Sequence, residues 1–264
     1  MTAFRGIRRP VLLYAGALIG AAHAFTIGLT RSRGRILLRE MSEYLFGKGF
    51  GNEPNLLPVA TLSELRSSSP IRLHDLDSVD GNVTLEELAV LASAVVRHKP
   101  ERLFEIGTFD GRTTLNLATN TGPDARIWTL DLPQSDLRDA RFPIESGEAR
   151  YIVKPMSGAR FVNAPEAAKI TQLYGDSAAF DYGPYIGEMD FVFVDASHAY
   201  DYVMNDSVKA LAMIGHRNGV IFWHDYSVWD GVTRALNELH RRDPAFAGLR
   251  WIEGTSLAVM TVHQ

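Results

Sequence analysis

Two short stretches of this 264-residue chain carry most of the side chains that could do chemistry. In one, Asp195 is followed three residues later by His198, within Phe191-Val192-Phe193-Val194-Asp195-Ala196-Ser197-His198. In the other, His224 and Asp225 directly follow Val220-Ile221-Phe222-Trp223. An imidazole that titrates near neutral pH can take a proton from a hydroxyl. Carboxylates and an imidazole brought together can hold a divalent cation. Upstream, Glu105, Asp131 and Asp176 stand at or next to the ends of three further apolar runs. A carboxylate at Glu105 repels a pyrophosphate and suits a ligand with an ammonium or sulfonium charge. Asp131 can accept both hydroxyls of a ribose. Asp176 can accept from an adenine amino group, with Ser177 as a second polar contact. Either aspartate alone could simply cap a helix.

These positions acquire meaning from the elements that carry them. Short apolar runs mark strands at Arg102–Ile106, Arg126–Leu130, Ile170–Tyr174, Phe191–Val194, Val220–Trp223 and Leu257–Val262. Several are apolar without alternation, as strands covered on both faces are. Helical stretches separate them. One begins at Thr84, with Glu87 three residues on as in a capping box, and runs to Val96 before Lys99-Pro100 stops it. The alternation specifies an α/β fold with a doubly wound sheet, in which ligands gather beyond the C-terminal ends of the strands. The first such end reads Glu105-Ile106-Gly107-Thr108-Phe109-Asp110-Gly111-Arg112-Thr113-Thr114. Gly107 and Gly111 allow a sharp turn close to a ligand. The turn lacks the dinucleotide fingerprint G-x-G-x-x-G, because Phe109 holds the middle position, and it lacks a P-loop lysine.

Glu105 through Thr114, Asp131 and Asp176-Ser177 resemble the cofactor site of class I S-adenosylmethionine-dependent methyltransferases, over roughly Asp80 to the C-terminus. The stretches around Asp195-Ala196-Ser197-His198 and His224-Asp225 resemble a bacterial branch of metal-dependent sugar O-methyltransferases. This resemblance implies a Rossmann-like, mostly parallel sheet with an antiparallel last strand. It implies cofactor contacts from Glu105, Gly107, Thr108, Gly111, Thr113, Asp131, Leu132, Asp176 and Ser177. It implies His198 as base beside Asp195, and a cation on Asp195, His224 and Asp225. His224 stands where such enzymes more often present a carboxylate. That points from Mg²⁺ toward Mn²⁺ or another ion tolerant of imidazole, or to no metal at all. His198 could instead cap the next helix or hold Asp195. Tyr200, Tyr202, Tyr226 and Trp229 are either acceptor-pocket walls or core. The cations of Leu137–Pro165 (Arg138, Arg141, Arg150, Lys154, Arg160) either recognise an acidic acceptor or line a solvated face.

Composition narrows the partners. With 46% hydrophobic and 22% charged residues the chain is globular, and without cysteine it has no disulfide or thiolate nucleophile. The net charge of -4 hides seven Arg and one Glu in residues 1–40, against 20 basic and 30 acidic residues beyond. The acidic body argues against nucleic acid. Val11 to Thr30 is uncharged and flanked by arginines. It reads as a membrane anchor or interfacial helix, a signal peptide, or a helix that packs on the body or a second subunit. The expected organisation is an N-terminal helical segment over 1–41, a connector over 42–79 with short helical turns, and a methyltransferase domain over 80–264. The expected protein is cytoplasmic, either free or attached to the inner membrane face, and acts on a small-molecule acceptor such as a glycoside, alone or as a homo-oligomer. The competing readings are a nicotinamide-dependent oxidoreductase and a non-catalytic membrane-associated binding protein.

Overall fold

The computed structural model describes residues 14–23, 25–26, 41, 53–144, 147–215 and 218–263. Among the described residues eight strands run in chain order: β1 (Val59–Ala60), β2 (Arg102–Ile106), β3 (Arg126–Asp131), β4 (Ile170–Tyr174), β5 (Phe191–Val194), β6 (Gly219–Trp223), β7 (Arg250–Ile252) and β8 (Ala258–Val262). They form one sheet in the order β1-β7-β8-β6-β5-β2-β3-β4. Neighbours are parallel except β8, which is antiparallel to both β6 and β7. The six strands read from the sequence are present to within one residue at their ends. The two short strands β1 and β7 were not legible, and β1 lies inside the segment read as a connector with helical turns.

Side-chain alternation sorts the core into two layers. In β5, Phe191 and Phe193 face α1 (Leu85–His98) and α2 (Arg112–Asn120), where they join Leu88, Leu91, Val95 and Leu117. Val192 and Val194 face α3 (Tyr200–Ile214) and α4 (Asp230–Arg242), with Val203, Met213 and Leu236. Burying each such side chain stabilises the fold by about 1.5–3 kcal/mol. Burial of β5 on both sides explains its unbroken apolar sequence. The first layer is anchored by α1, whose capping box forms as expected: the Thr84 side chain accepts from the Glu87 N–H, and the Glu87 carboxylate accepts from the Thr84 N–H. Left-handed Lys99 ends the helix before Pro100. Buried Arg112 donates to the carbonyls of Asp75, Leu76 and Val83, tying that strand-free stretch to α2.

Between β2 and β5 the chain reverses its direction of travel across the sheet: β3 and β4 build outward on one side, and β5 returns on the other. A crevice opens at such a switch point. In the first 52 residues, 14–23 are helical and largely exposed. Among the described residues no helix is long and apolar enough to cross a membrane. The seven arginines and eight of the twenty residues from Val11 to Thr30 lie outside the described residues.

Candidate active site

The tips of β2, β5 and β6 are laced edge to edge. Asp195 N–H donates to Ile106 O, and His224 N–H donates to Val194 O. Gly107 follows β2 with φ +106°, and a Cβ there would lie 1.9 Å from the Asp195 carbonyl oxygen. No other residue fits so close an approach. Phe109, at the position a second glycine would occupy, adopts φ +49° and packs edge-on against Tyr151. The turn thus keeps a left-handed shape without that glycine, at a backbone cost of roughly 1–2 kcal/mol.

Beyond these tips lies an open cleft. Gly107, Asp131, Leu132, Asp176, Ser177, Asp195 and His198 line it, as do Phe109 and Tyr202. Its remaining wall is the segment between β3 and β4, through Ile144, Glu148, Tyr151, Ile152 and Lys154. Four of the residues expected to touch a cofactor are not on its wall. Thr108 hydrogen-bonds Thr129 in the interior, Gly111 shapes the turn into α2, and Thr113 is buried in the first turn of that helix.

Glu105 is the fourth, and it requires a correction. Along β2 it alternates with Phe104 and Ile106, so its side chain faces α2 instead of the crevice rim. It is 1% exposed, and Thr114 and Thr129 donate their hydroxyls to its Oε2. Burial pushes its carboxyl up to about 8, reinforced by the charges of Asp195 and Asp131. At neutral pH it is not the negative rim charge that the sequence suggested.

The other two acidic tips reach the cleft with partners already in place. Asp131 Oδ2 lies 2.6 Å from Lys154 Nζ and accepts from the Ser157 hydroxyl. Asp176 accepts from the main-chain N–H of Arg141 at one oxygen and of Ala178 at the other. Ser177 donates to buried Asp206. Three cations of the segment between β3 and β4 likewise face acids of this chain: Lys154 pairs with Asp131, Arg150 with Asp80, and Arg160 with Asp110 and Asp75.

At the far end, the β5 and β6 tips converge. Ligand atoms of Asp195, His224 and Asp225 all lie within 4.8 Å of one another. His224 Nδ1 is 3.0 Å from Asp195 Oδ1 and 3.3 Å from Asp225 Oδ2, while its Nε2 is 3.3 Å from Glu87 Oε2 on α1. Burial opposes charge on this imidazole, but the two aspartates raise its pKa well above the ordinary value. Asp225, in left-handed backbone at φ +65°, is held below the carboxylate range by His224 and His198 despite its burial.

His198 does not match the role of a free base. Its Nε2 is 2.7 Å from Asp225 Oδ2, its Nδ1 is 2.6 Å from Glu148 Oε1, and its ring stacks on Trp229 at 4.3 Å and 5°. Although burial pulls the other way, Asp225 and then Glu148 push it up to about 10. It therefore holds its proton at neutral pH. Of the four aromatics, Tyr202 lines the cleft, Trp229 backs His198, and Arg234 stacks over Tyr200. Tyr226 is core, its hydroxyl bonded to Asn237 and to the N–H groups of Leu56 and Leu57. Glu87 and Glu148 are the partners that sequence reading missed. Glu87 was visible only as a helix cap, and Glu148 lies fifty residues before the histidine it meets, with no local signal.

Residues 104–226, which run from β2 through the β6 tip, match the family model described as a methyltransferase domain. Among solved structures it is similar to the O-methyltransferase TomG from Streptomyces achromogenes, involved in tomaymycin synthesis and in complex with SAM. The two share 19% identity with a TM-score of 0.50, over 70% of this chain and 83% of that one. It is also similar to an O-methyltransferase from Bacillus cereus in complex with SAH, at 19% identity and a TM-score of 0.46, over 70% and 84%. No curated protein matches the sequence. The sheet is the Rossmann-like, mostly parallel one expected from the sequence, including the antiparallel strand β8.

Proposed function

We propose that the protein transfers a methyl group from S-adenosylmethionine to a hydroxyl of a small-molecule acceptor, such as a sugar or another natural product. The observation that carries this reading is the switch-point cleft. It has a ribose-type aspartate at one end and Asp195 with His198 at the other, joined by the contact between Gly107 and Asp195, and a smaller adjoining pocket that shares Asp195 and His198 holds His224 and Asp225. Asp131 takes the ribose hydroxyls once Lys154 and Ser157 yield its carboxylate, and the turn from Gly107 to Gly111 brings bare backbone against the ligand. Ile144, Glu148, Tyr151, Ile152 and Lys154 wall the cleft and help to hold donor and acceptor in place, which favours positioning as the main source of rate. S-adenosylmethionine supplies the methyl: its C–S bond breaks as the O–C bond forms, and S-adenosylhomocysteine is left. The hydroxyl proton passes to the carboxylate of Asp195. Protonated His198 holds Asp225 and Glu148 in place around it.

The donor set of Asp195, His224 and Asp225 fits a divalent cation, with two carboxylates and one imidazole whose ligand atoms lie within 4.8 Å of one another. A cation there, when bound, would make the acceptor hydroxyl more acidic. Calorimetric titration of S-adenosylmethionine into the wild type and Asp131→Ala tests the cofactor half. Binding is expected only in the wild type, or weakened about 10- to 100-fold in the variant, as for loss of a charged hydrogen-bond acceptor. Equal binding by both overturns the assignment. A screen of glycosides and phenols with Mg²⁺, Mn²⁺ and chelator identifies the acceptor.

A further inference from the structure

Glu87 sits in the first turn of α1, 3% exposed, and every group around its carboxylate is a donor. Oε1 accepts from the N–H and hydroxyl of Ser256, both at 2.7 Å. Oε2 accepts from the N–H and hydroxyl of Thr84, both at 2.8 Å, and lies 3.3 Å from His224 Nε2. Glutamine serves equally well in a capping box. Here its amide nitrogen would have to face Ser256 or the Thr84 and His224 donors, so only a carboxylate satisfies the whole set.

The consequence falls on His224. A carboxylate accepts and does not donate, so its contact with Nε2 requires a proton on that nitrogen. Nδ1 faces Asp195 Oδ1 and Asp225 Oδ2, so it too carries a proton until a cation displaces it. Two carboxylate oxygens and an imidazole lone pair repel one another unless a proton or a cation stands between them. We propose that Glu87 is a positioning residue that keeps the proton of His224 on Nε2, so that Nδ1 is presented as the third ligand of the cation site. This rests on reading Asp195, His224 and Asp225 as such a site. An imidazole in that set favours Mn²⁺, Zn²⁺ and their neighbours over Mg²⁺. Carboxylates that orient a ligating histidine in this way change metal affinity by about 10- to 100-fold when altered.

The test uses the full chain with Mn²⁺ and Zn²⁺ as probes. Mn²⁺ binding is read by electron paramagnetic resonance in the wild type, Glu87→Gln and Thr84→Ala, with thermal unfolding of each. Glu87→Gln should weaken Mn²⁺ about 10- to 100-fold. Thr84→Ala, which loses the helix cap but keeps the Glu87 contact with His224, should bind Mn²⁺ as the wild type does. Nitrogen-15 NMR of the Zn²⁺-loaded wild type should show His224 protonated at Nε2 and ligated at Nδ1. The NMR needs no variant, so the proposal stays falsifiable even if Glu87→Gln does not fold. Wild-type protein that binds neither ion overturns the cation reading and this proposal with it. Tight Mn²⁺ binding kept in Glu87→Gln, or ligation through Nε2, overturns the role of Glu87 alone.

Discussion

At the tips of β2, β3 and β4 the cleft is shaped largely by backbone and by carboxylates that already have partners, whereas at β5 and β6 the cleft and the smaller pocket adjoining it are made of charges held by other charges. Asp176 is tied by two main-chain N–H groups and Asp131 by Lys154. At the other end His198 is gripped by Glu148 and Asp225, and His224 faces Glu87, Asp195 and Asp225. The first region suits the binding of a ligand by shape and hydrogen bonds. The second suits chemistry, because its proton positions depend on one another and a substrate can shift them. Substitutions should therefore split cleanly: affinity changes from the first region, rate changes from the second.

The largest effect should come from the second region. Asp195→Asn keeps the shape and removes the carboxylate, and single-turnover assays should show the methyl-transfer step slowed about 10²- to 10⁴-fold. Affinity for S-adenosylmethionine should change far less. A loss of affinity with the rate intact would dissolve the division between the regions. Next comes the seam joining them. In Gly107→Ala the new methyl meets the Asp195 carbonyl, and φ +106° is strained for any side chain. Urea denaturation should show a loss of roughly 2–4 kcal/mol. An unchanged midpoint would mean that the two strand tips are not in contact.

The smallest effect on binding and rate should come from Glu105→Gln. Burial raises the folded pKa of Glu105 from 4.5 to about 8, so the folded chain binds that proton more tightly than the unfolded chain does. Stability from this group is full below about pH 4.5 and is lost as pH rises to about 8. The glutamine variant does not titrate. Its stability relative to the wild type should grow across that window by a few kcal/mol, as thermal melts at pH 5 and pH 8.5 would record. Cofactor affinity at pH 7 should stay near the wild-type value. A collapse of affinity would restore Glu105 as a binding charge.

How much of this was legible in the sequence follows from the distance between partners. Strands such as Phe191–Val194, the cap at Thr84 and the tight turn at Gly107 declare themselves within a few residues. Asp131, Asp195 and His224 could be placed at strand tips because a strand end is itself a local signal. Glu105 was misplaced because its strand position, two residues before Gly107, was read as the tip, when alternation turns it under the sheet toward α2. Glu148 and Glu87 meet their histidines across 50 and 137 residues. No period or spacing carries such a pairing, and so His198 looked like a free base when it is a doubly held cation. The strands β1 and β7, two and three residues long, are too short to show a pattern and are defined by pairing with each other.

The most direct measurement is a crystal structure of the chain soaked with S-adenosylhomocysteine. The expected result puts the ribose hydroxyls on Asp131, with Lys154 displaced, and turns the sulfur toward Asp195 across Gly107. A nucleoside bound outside the cleft between β2 and β5, or one whose sulfur points away from Asp195, would contradict the proposed function.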